Sequence, residues 1–236
     1  MAFPATAELA ADPRVARGLM AQLERRREAL AAGDRSLGWK LGFGAPAAME
    51  KLGIPAPLVG FLLSSGMRDP GAGVRVGGWS KPVLEPEVAV HLARDVPAQA
   101  DLDTIQASVA GIGPAFELAD VEPPPEDVSE ILTGNIFQRG CVLGPISTQS
   151  SLAGLAGRVV VNAGEPQVVE DLEALTGETI GLVRHVADLL AGFGEGLRAG
   201  EIIITGSIVP PLFVAPGDRV EYELSPVGSL TVRFED

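Results

Sequence analysis

The chain has 236 residues, a formal net charge of −13 and a pI near 4.6, a field that repels phosphate backbones and anionic lipid surfaces and so argues against nucleic acid or membrane partners. Hydrophobic residues make up 46% and mean hydropathy is +0.25, yet no uninterrupted apolar run reaches the roughly 18 to 20 residues a membrane helix needs; the surplus points to a subunit interface and a homo-oligomer. One cysteine and two histidines leave no intrachain disulfide, no multi-thiolate site and no His-rich zinc site, so the metal chemistry still open is carboxylate chemistry.

The N-terminus lacks a basic start, an apolar stretch and a small-residue cleavage site, so nothing marks it for export and the cytoplasm is the expected location. Residues 6 to about 32 carry Leu, Ala and Met at helical spacing and stop at Gly33, which predicts one N-terminal helix. Residues 1–36 are expected to pack as a helical segment on a main domain covering 37–236. A short Gly-bracketed strand follows around Trp39 to Leu41, then a short helix in APAAMEKLG, an apolar strand in LVGFLLSSGM and a brief alternating piece at Val74 to Val76.

LEPEVAVHLARD reads as a strand. Asp101 or Asp103 then caps a helix running to about Ala110, with Gly111 and Gly113 ending it, and PAFELAD is extended before three prolines break the chain. EDVSEILTGN is a short helix stopped by Gly134, CVLGPI a buried strand, and RVVVNAGEPQVV a hairpin turning near Ala163 and Gly164. ETIGLVRHVADLLAGFGEGLRAG is a long amphipathic helix, and EIIITGS, DRVEYELS and GSLTVRFED are three closing strands. Many short strands with few helices, and no repeat or linker, predict an α+β fold with a mainly antiparallel, curled sheet.

Within LEPEVAVHLARD the chemistry concentrates. Side chains alternate across a strand, so residues i and i+2 share a face about 6.6 to 7 Å apart. Glu85, Glu87, Ala89 and His91 share one face; Val88, Val90 and Leu92 share the other. Two such glutamates repel each other and need a positive partner. A lysine or arginine could serve; a divalent cation serves better if a third carboxylate converges from a neighbouring strand. Glu117, mid-strand between Phe116 and Leu118, is the candidate, because an ionised group there is costly unless it is coordinated or paired. Three monodentate carboxylates leave coordination positions open, as expected for Mg²⁺ or Mn²⁺ that also holds substrate.

Lys40, between Trp39 and Leu41 in a chain that prefers arginine, is the candidate catalytic ammonium, with Lys81 its rival in a loop-like setting beside Pro82. His91 lies too far along the strand to join the same ion and is expected to be a hydrogen-bonded structural residue. Asp120 falls on the opposite face from Glu117 in a regular strand, which leaves it a supporting role at most. Cys141, among apolar residues, is expected to be buried and inert.

Taken in order, GWKLGFGAPAAMEKLGI, PLVGFLL, LEPEVAVHLARD, PAFELAD, GLRAGEIIITGS and VAPGDRVE resemble the fumarylacetoacetate hydrolase superfamily, in its 2-keto-4-pentenoate hydratase and 4-oxalocrotonate decarboxylase branch. The resemblance runs from about residue 37 to the C-terminus. It implies a mixed β-sheet roll with flanking helices that binds Mg²⁺ or Mn²⁺ through Glu85, Glu87 and Glu117. It further implies proton-transfer or water-positioning work for Lys40, with Glu85 as its catalytic companion, and a pocket strip of Thr205, Gly206 and Ser207 that binds a substrate carboxylate. Two segments depart from the branch: Val121 and Glu122 follow Asp120 where Asp-Ser-Arg is usual, and TGNIFQRG keeps only Asn135 of Asp-Asn-Ala-Ser. Asn135 is carried over as substrate-binding.

The expected activity is that of a metal-dependent lyase, hydrating a 2-hydroxy-2,4-dienoate to a 4-hydroxy-2-oxo acid in aromatic-compound catabolism. The alternatives are a 4-oxalocrotonate-type decarboxylase, an acylpyruvate or fumarylacetoacetate-type C–C hydrolase, and a non-catalytic oligomer that binds metal or a 2-oxo acid.

Overall fold

The computed structural model describes residues 5–121 and 127–236. The three prolines expected to break the chain, and Glu122, lie outside the described residues. Two helices open the fold, α1 (Thr6–Ala11) and α2 (Pro13–Ala31), then β1 (Ser36–Gly42), α3 (Pro46–Leu52), β2 (Leu58–Leu63), β3 (Met67–Arg68), β4 (Gly73–Arg75) and β5 (Pro82–Leu92). There follow α4 (Leu102–Gln106), β6 (Val109–Asp120), α5 (Val128–Thr133), β7 (Gln138–Leu143), β8 (Ala156–Val161), β9 (Gln167–Val169) and α6 (Thr179–Ala191). β10 (Ile202–Ser207), β11 (Leu212–Phe213), β12 (Arg219–Ser225) and β13 (Gly228–Glu235) close it. No helix among the described residues is long and apolar enough to cross a membrane.

The strands form two mixed sheets. One has the order β2-β1-β10-β5-β6-β7-β3 with β11 paired to β5; the other runs β4-β13-β12-β8-β9. β1 with β10, β3 with β7 and β4 with β13 are parallel pairs, and the remaining ladders are antiparallel. The outer face of the large sheet is shared between two cores. Trp39, Val90 and Ile203 pack against Leu9, Leu19 and Leu23 of the first two helices and Val183 and Val186 of α6. Leu84, Val88 and Phe116 pack against Tyr222, Leu224 and Phe234 of the second sheet. The inner face carries small or compact apolar residues, Ala89, Ala115, Ile202 and Ile204, and the charged side chains described below. Residues 1–36 thus contribute Leu9, Val15, Leu19 and Leu23 to a core shared with the rest of the chain.

Three local expectations change. The N-terminal helix is two helices, because Pro13 starts a new one at its N1 position and Asp12 accepts the Arg14 N–H as its cap at 2.8 Å. The helix expected to reach Ala110 stops at Gln106; Gly111 and Gly113 lie inside the twelve-residue β6. Local Gly signals lose to the β5 ladder there, and residues 145–147 cross so close that a side chain at either glycine would collide with backbone oxygens. α6 ends at Ala191, well short of Gly200. The hairpin at 162–163 is as expected, with Asn162 and Ala163 both at positive φ and Gly164 N–H returning to Val161 O at 2.8 Å.

A buried ionic group fixes which face of β1 turns inward. The Arg26 guanidinium lies 4.6 Å over the Trp39 ring, Trp39 Nε1 donates to Glu201 at 3.1 Å, and Ser36 Oγ donates to the same carboxylate at 2.6 Å. With Trp39 held outward, alternation turns Lys40 inward. Glu201→Ala leaves Trp39 and Ser36 without their shared acceptor and Arg26 without one of its two ion-pair partners, and is expected to cost about 3 to 5 kcal/mol, read as a lowered midpoint in urea unfolding.

Candidate active site

In the β5–β6 ladder Glu85 stands directly opposite Glu117, and Glu87 lies two residues further along the same face. Like charges placed opposite each other destabilise a sheet, yet these three gather so tightly that one oxygen of each lies within 4.8 Å of the others. Glu87 and Glu117 are 0% exposed and Glu85 is half-buried. Lys40 Nζ donates to Glu117 Oε1, and also to the Ile136 carbonyl at 3.1 Å. Lys40 lies three strands from Glu117 in the order β1-β10-β5-β6. At about 4.8 Å per strand a flat sheet would separate their backbones by roughly 14 Å, so the contact requires the sheet to curl round on itself.

One ammonium does not balance three carboxylates. Burial pushes the Glu117 carboxyl up to about 7 against the pull of Lys40. Burial, then the charges of Glu117 and Glu85, raises Glu87 well above the ordinary carboxylate range. Burial also raises Glu85, again opposed by Lys40. Glu87 Oε1 and Glu117 Oε2 are buried with no hydrogen-bond donor, a costly state for carboxylate oxygens. A hard divalent cation relieves the repulsion and satisfies both orphaned oxygens at once, and an all-oxygen donor set suits Mg²⁺ or Mn²⁺. The residues present therefore fit such an ion.

The site opens into a cavity of about 440 Å³. Lys40, Glu85, Thr205, Gly206 and Ser207 lie on its wall beside Phe43, Ile136, Phe137, Thr176 and a long apolar margin. The sequence pattern of the fumarylacetoacetate (FAA) hydrolase C-terminal family matches residues 40–235. The chain belongs to this family. It is similar to 2-hydroxyhexa-2,4-dienoate hydratase of Comamonas testosteroni, with 26% identity over 87% of this chain and 81% of the relative. It is also similar to 4-oxalocrotonate decarboxylase of Pseudomonas putida, with 29% identity over 90% and 83%. A solved 4-oxalocrotonate decarboxylase from Pseudomonas putida G7, complexed with magnesium and adipate, superposes with a TM-score of 0.84 at 27% identity, covering 90% of this chain and 83% of that one.

In this member of the FAA hydrolase family the Thr-Gly-Ser strip does more than line the wall. The β10–β5 register slips between Ile204 and Ser207, a bulge that frees the Gly206 N–H from the ladder. That N–H donates to Glu87 Oε2 at 2.6 Å. Gly206 sits at φ +99, where a side chain is strained. The Thr205 hydroxyl is turned to Val88 O at 3.2 Å, and Ser207 Oγ reaches Pro86 O only at 3.4 Å.

Asn135 is not on the cavity wall. Its carboxamide accepts from Phe61 N–H at 2.9 Å and donates to Phe61 O at 3.0 Å, so it caps the free edge of β2 in the manner of an added strand. Expected to bind substrate, its side chain has both ends engaged by backbone. It opens a run of three left-handed residues, Asn135, Ile136 and Phe137 at φ 53, 51 and 61, which sequence reasoning missed. For a β-branched residue such as Ile136 this conformation is an outlier. It aims the Ile136 carbonyl at Lys40 and puts Phe137 on the wall. Gly60, paired with Lys40 across β1–β2, leaves the room: a methyl there would stand 2.9 Å from Asn135 Oδ1 and 3.0 Å from Lys40 Cγ.

The other candidates stand apart. His91 shares the glutamate face but lies outside the cluster, and the hydrogen bond expected of it is not formed among the described residues. Lys81 is in a loop, its ammonium 4.8 Å over the Phe213 ring. Asp120 accepts the N–H of Lys81 at 2.8 Å and of Ser80 at 3.1 Å, holding the approach to β5. Cys141 faces Glu117 across β6–β7, and burial pushes its thiol up to about 12, which leaves it inert as a nucleophile.

Added Mn²⁺ should raise the thermal midpoint of the wild type and leave that of Glu87→Gln unmoved, read by a melting curve at matched concentration. Because the raised carboxyls must lose protons to take the ion, Mn²⁺ affinity measured by calorimetry is expected to increase as pH rises toward and past about 7. Asn135→Ala strips the β2 edge of its cap and should cost about 1 to 3 kcal/mol in denaturant unfolding.

Proposed function

We propose that the chain is a divalent-cation-dependent hydratase that converts a 2-hydroxy-2,4-dienoate to a 4-hydroxy-2-oxo acid in the breakdown of aromatic compounds. The observation that carries this reading is the convergence of Glu85, Glu87, Glu117 and Lys40 at the polar end of one cavity. Similarity to a dienoate hydratase supports the substrate class. Held by the three carboxylates, Mg²⁺ or Mn²⁺ supplies positive charge where negative charge grows on the substrate's carboxylate and 2-oxygen.

The rest falls to the protein. The 2-hydroxyl proton leaves and a proton joins C5, giving a 2-oxo-3-enoate; water then adds its oxygen to C4 while a proton joins C3. Glu85 is the carboxylate of the three on the cavity wall, and it accepts the departing proton. Lys40, also on the wall, returns a proton or orients the water, and the Ile136 carbonyl holds it in place. Ser207, whose hydroxyl is only weakly engaged, turns to the substrate carboxylate.

A decarboxylase acting on 4-oxalocrotonate is the second reading, supported by the likeness to the solved decarboxylase. The purified protein with Mg²⁺ or Mn²⁺ should consume 2-hydroxypenta-2,4-dienoate with loss of its ultraviolet absorbance. Lys40→Met is expected to lower kcat about 10²- to 10⁴-fold while keeping the Mn²⁺-dependent rise in melting temperature. Failure of the wild type to consume any dienoate sinks the hydratase reading; release of carbon dioxide from 4-oxalocrotonate instead would establish the second, and binding without turnover of either would leave a ligand-binding protein.

A further inference from the structure

Resting on the reading of this cavity as the substrate site, its chemistry is strongly graded from base to rim. Lys40, Glu85 and the Thr205-Gly206-Ser207 strip are its polar end. Phe43 and Phe137, edge to face with centroids 6.4 Å apart, form one side of the remainder. Val121, Leu175, Pro210 and Phe213 form the margin, and Leu175 and Phe213 are 38% and 65% exposed, which puts them at the mouth.

Among the described residues of the wall, Lys40 is the only one with a cationic side chain, and it is committed to Glu117. Lys81 is not on the wall; its ammonium is over the ring of Phe213. A second carboxylate at the far end of a substrate would therefore be desolvated among apolar side chains with no cation to receive it. An alkyl or aryl group there would instead bury apolar surface. At about 440 Å³ the cavity falls in the roughly 300 to 1,000 Å³ range of sites for drug-sized ligands, more than an unsubstituted five-carbon acid fills.

We infer that the protein selects 2-oxo and 2-hydroxydienoic acids whose end remote from the carboxylate carries an apolar substituent of several carbons, and that it discriminates against those ending in a second carboxylate. Phe43, Phe137, Leu175 and Phe213 are the residues that set this preference. The exposed aromatic at the mouth is then part of the substrate's path, where it shields the tail from water.

Two measurements test it. Calorimetry with Mn²⁺-loaded protein should give a dissociation constant that falls from 2-oxobutanoate to 2-oxohexanoate by about 3- to 5-fold per added methylene. 2-Oxoadipate, the same six-carbon chain with a second carboxylate, should bind at least tenfold more weakly than 2-oxohexanoate. In turnover, kcat/KM should rise from 2-hydroxypenta-2,4-dienoate to its 5-propyl homologue. Leu175→Arg, at the exposed rim, should shift the 2-oxoadipate to 2-oxohexanoate affinity ratio at least tenfold toward the diacid. A flat series, tighter binding of the diacid, or no shift in Leu175→Arg would each overturn the inference. If the diacid is preferred and Lys81→Ala removes that preference, the second carboxylate belongs to Lys81. If no dienoate is consumed but the binding order holds, the hydratase reading falls and the selectivity of the cavity stands.

Discussion

The structure turns on one electrostatic constraint: three carboxylates occupy a volume in which only one ammonium answers them. Glu85 and Glu117 are cross-strand partners, and Glu87, two residues beyond Glu85 on β5, is diagonal to Glu117, so the repulsion is built into the register of the longest ladder among the described residues. Water cannot screen it, because Glu87 and Glu117 are sealed from solvent. A small, hard cation is the economical solution, and it explains why two carboxylate oxygens of the cluster are left without hydrogen-bond donors.

Holding that cluster together requires backbone that departs from regular structure. The bulge at Thr205 and Gly206 takes one N–H out of the ladder and gives it to Glu87. The left-handed run at 135–137 is costly, on the order of 1 to 3 kcal/mol per residue, and is retained because Asn135 is clamped to the edge of β2 while Ile136 receives Lys40. Both irregularities contribute residues to the cavity wall. Behind them, the Arg26, Trp39 and Glu201 group orients β1 from the outer side. A single ammonium position is thus set by contacts on both faces of one strand.

The cavity extends this division of labour. Charge is concentrated at the base, and the wall becomes apolar toward the mouth, with aromatic rings contributed by the turn after β1, the left-handed run and β11. Polar groups near the base set orientation, and apolar area further out sets how much of a substrate's tail is kept from water.

Much of the site was legible before any fold was known. Period-two alternation alone puts Glu85 and Glu87 on one face, and the presence of an acidic residue between Phe116 and Leu118 marks Glu117 as paired or coordinated. Composition removes sulfur and imidazole metal sites, and local spacing reads helix over 6 to about 32 and 178–200, segments that contain the helices at 13–31 and 179–191. What local spacing cannot contain is register and curvature. That Glu117 faces Glu85, that Lys40 reaches it across the two intervening strands, that Gly111 and Gly113 sit in a strand, and that Asn135 clamps Phe61 are all long-range pairings. Their energies arise from partners tens of residues away, so the sequence determined which groups must be neutralised, and only the tertiary structure decided what neutralises them and what kind of cavity they face.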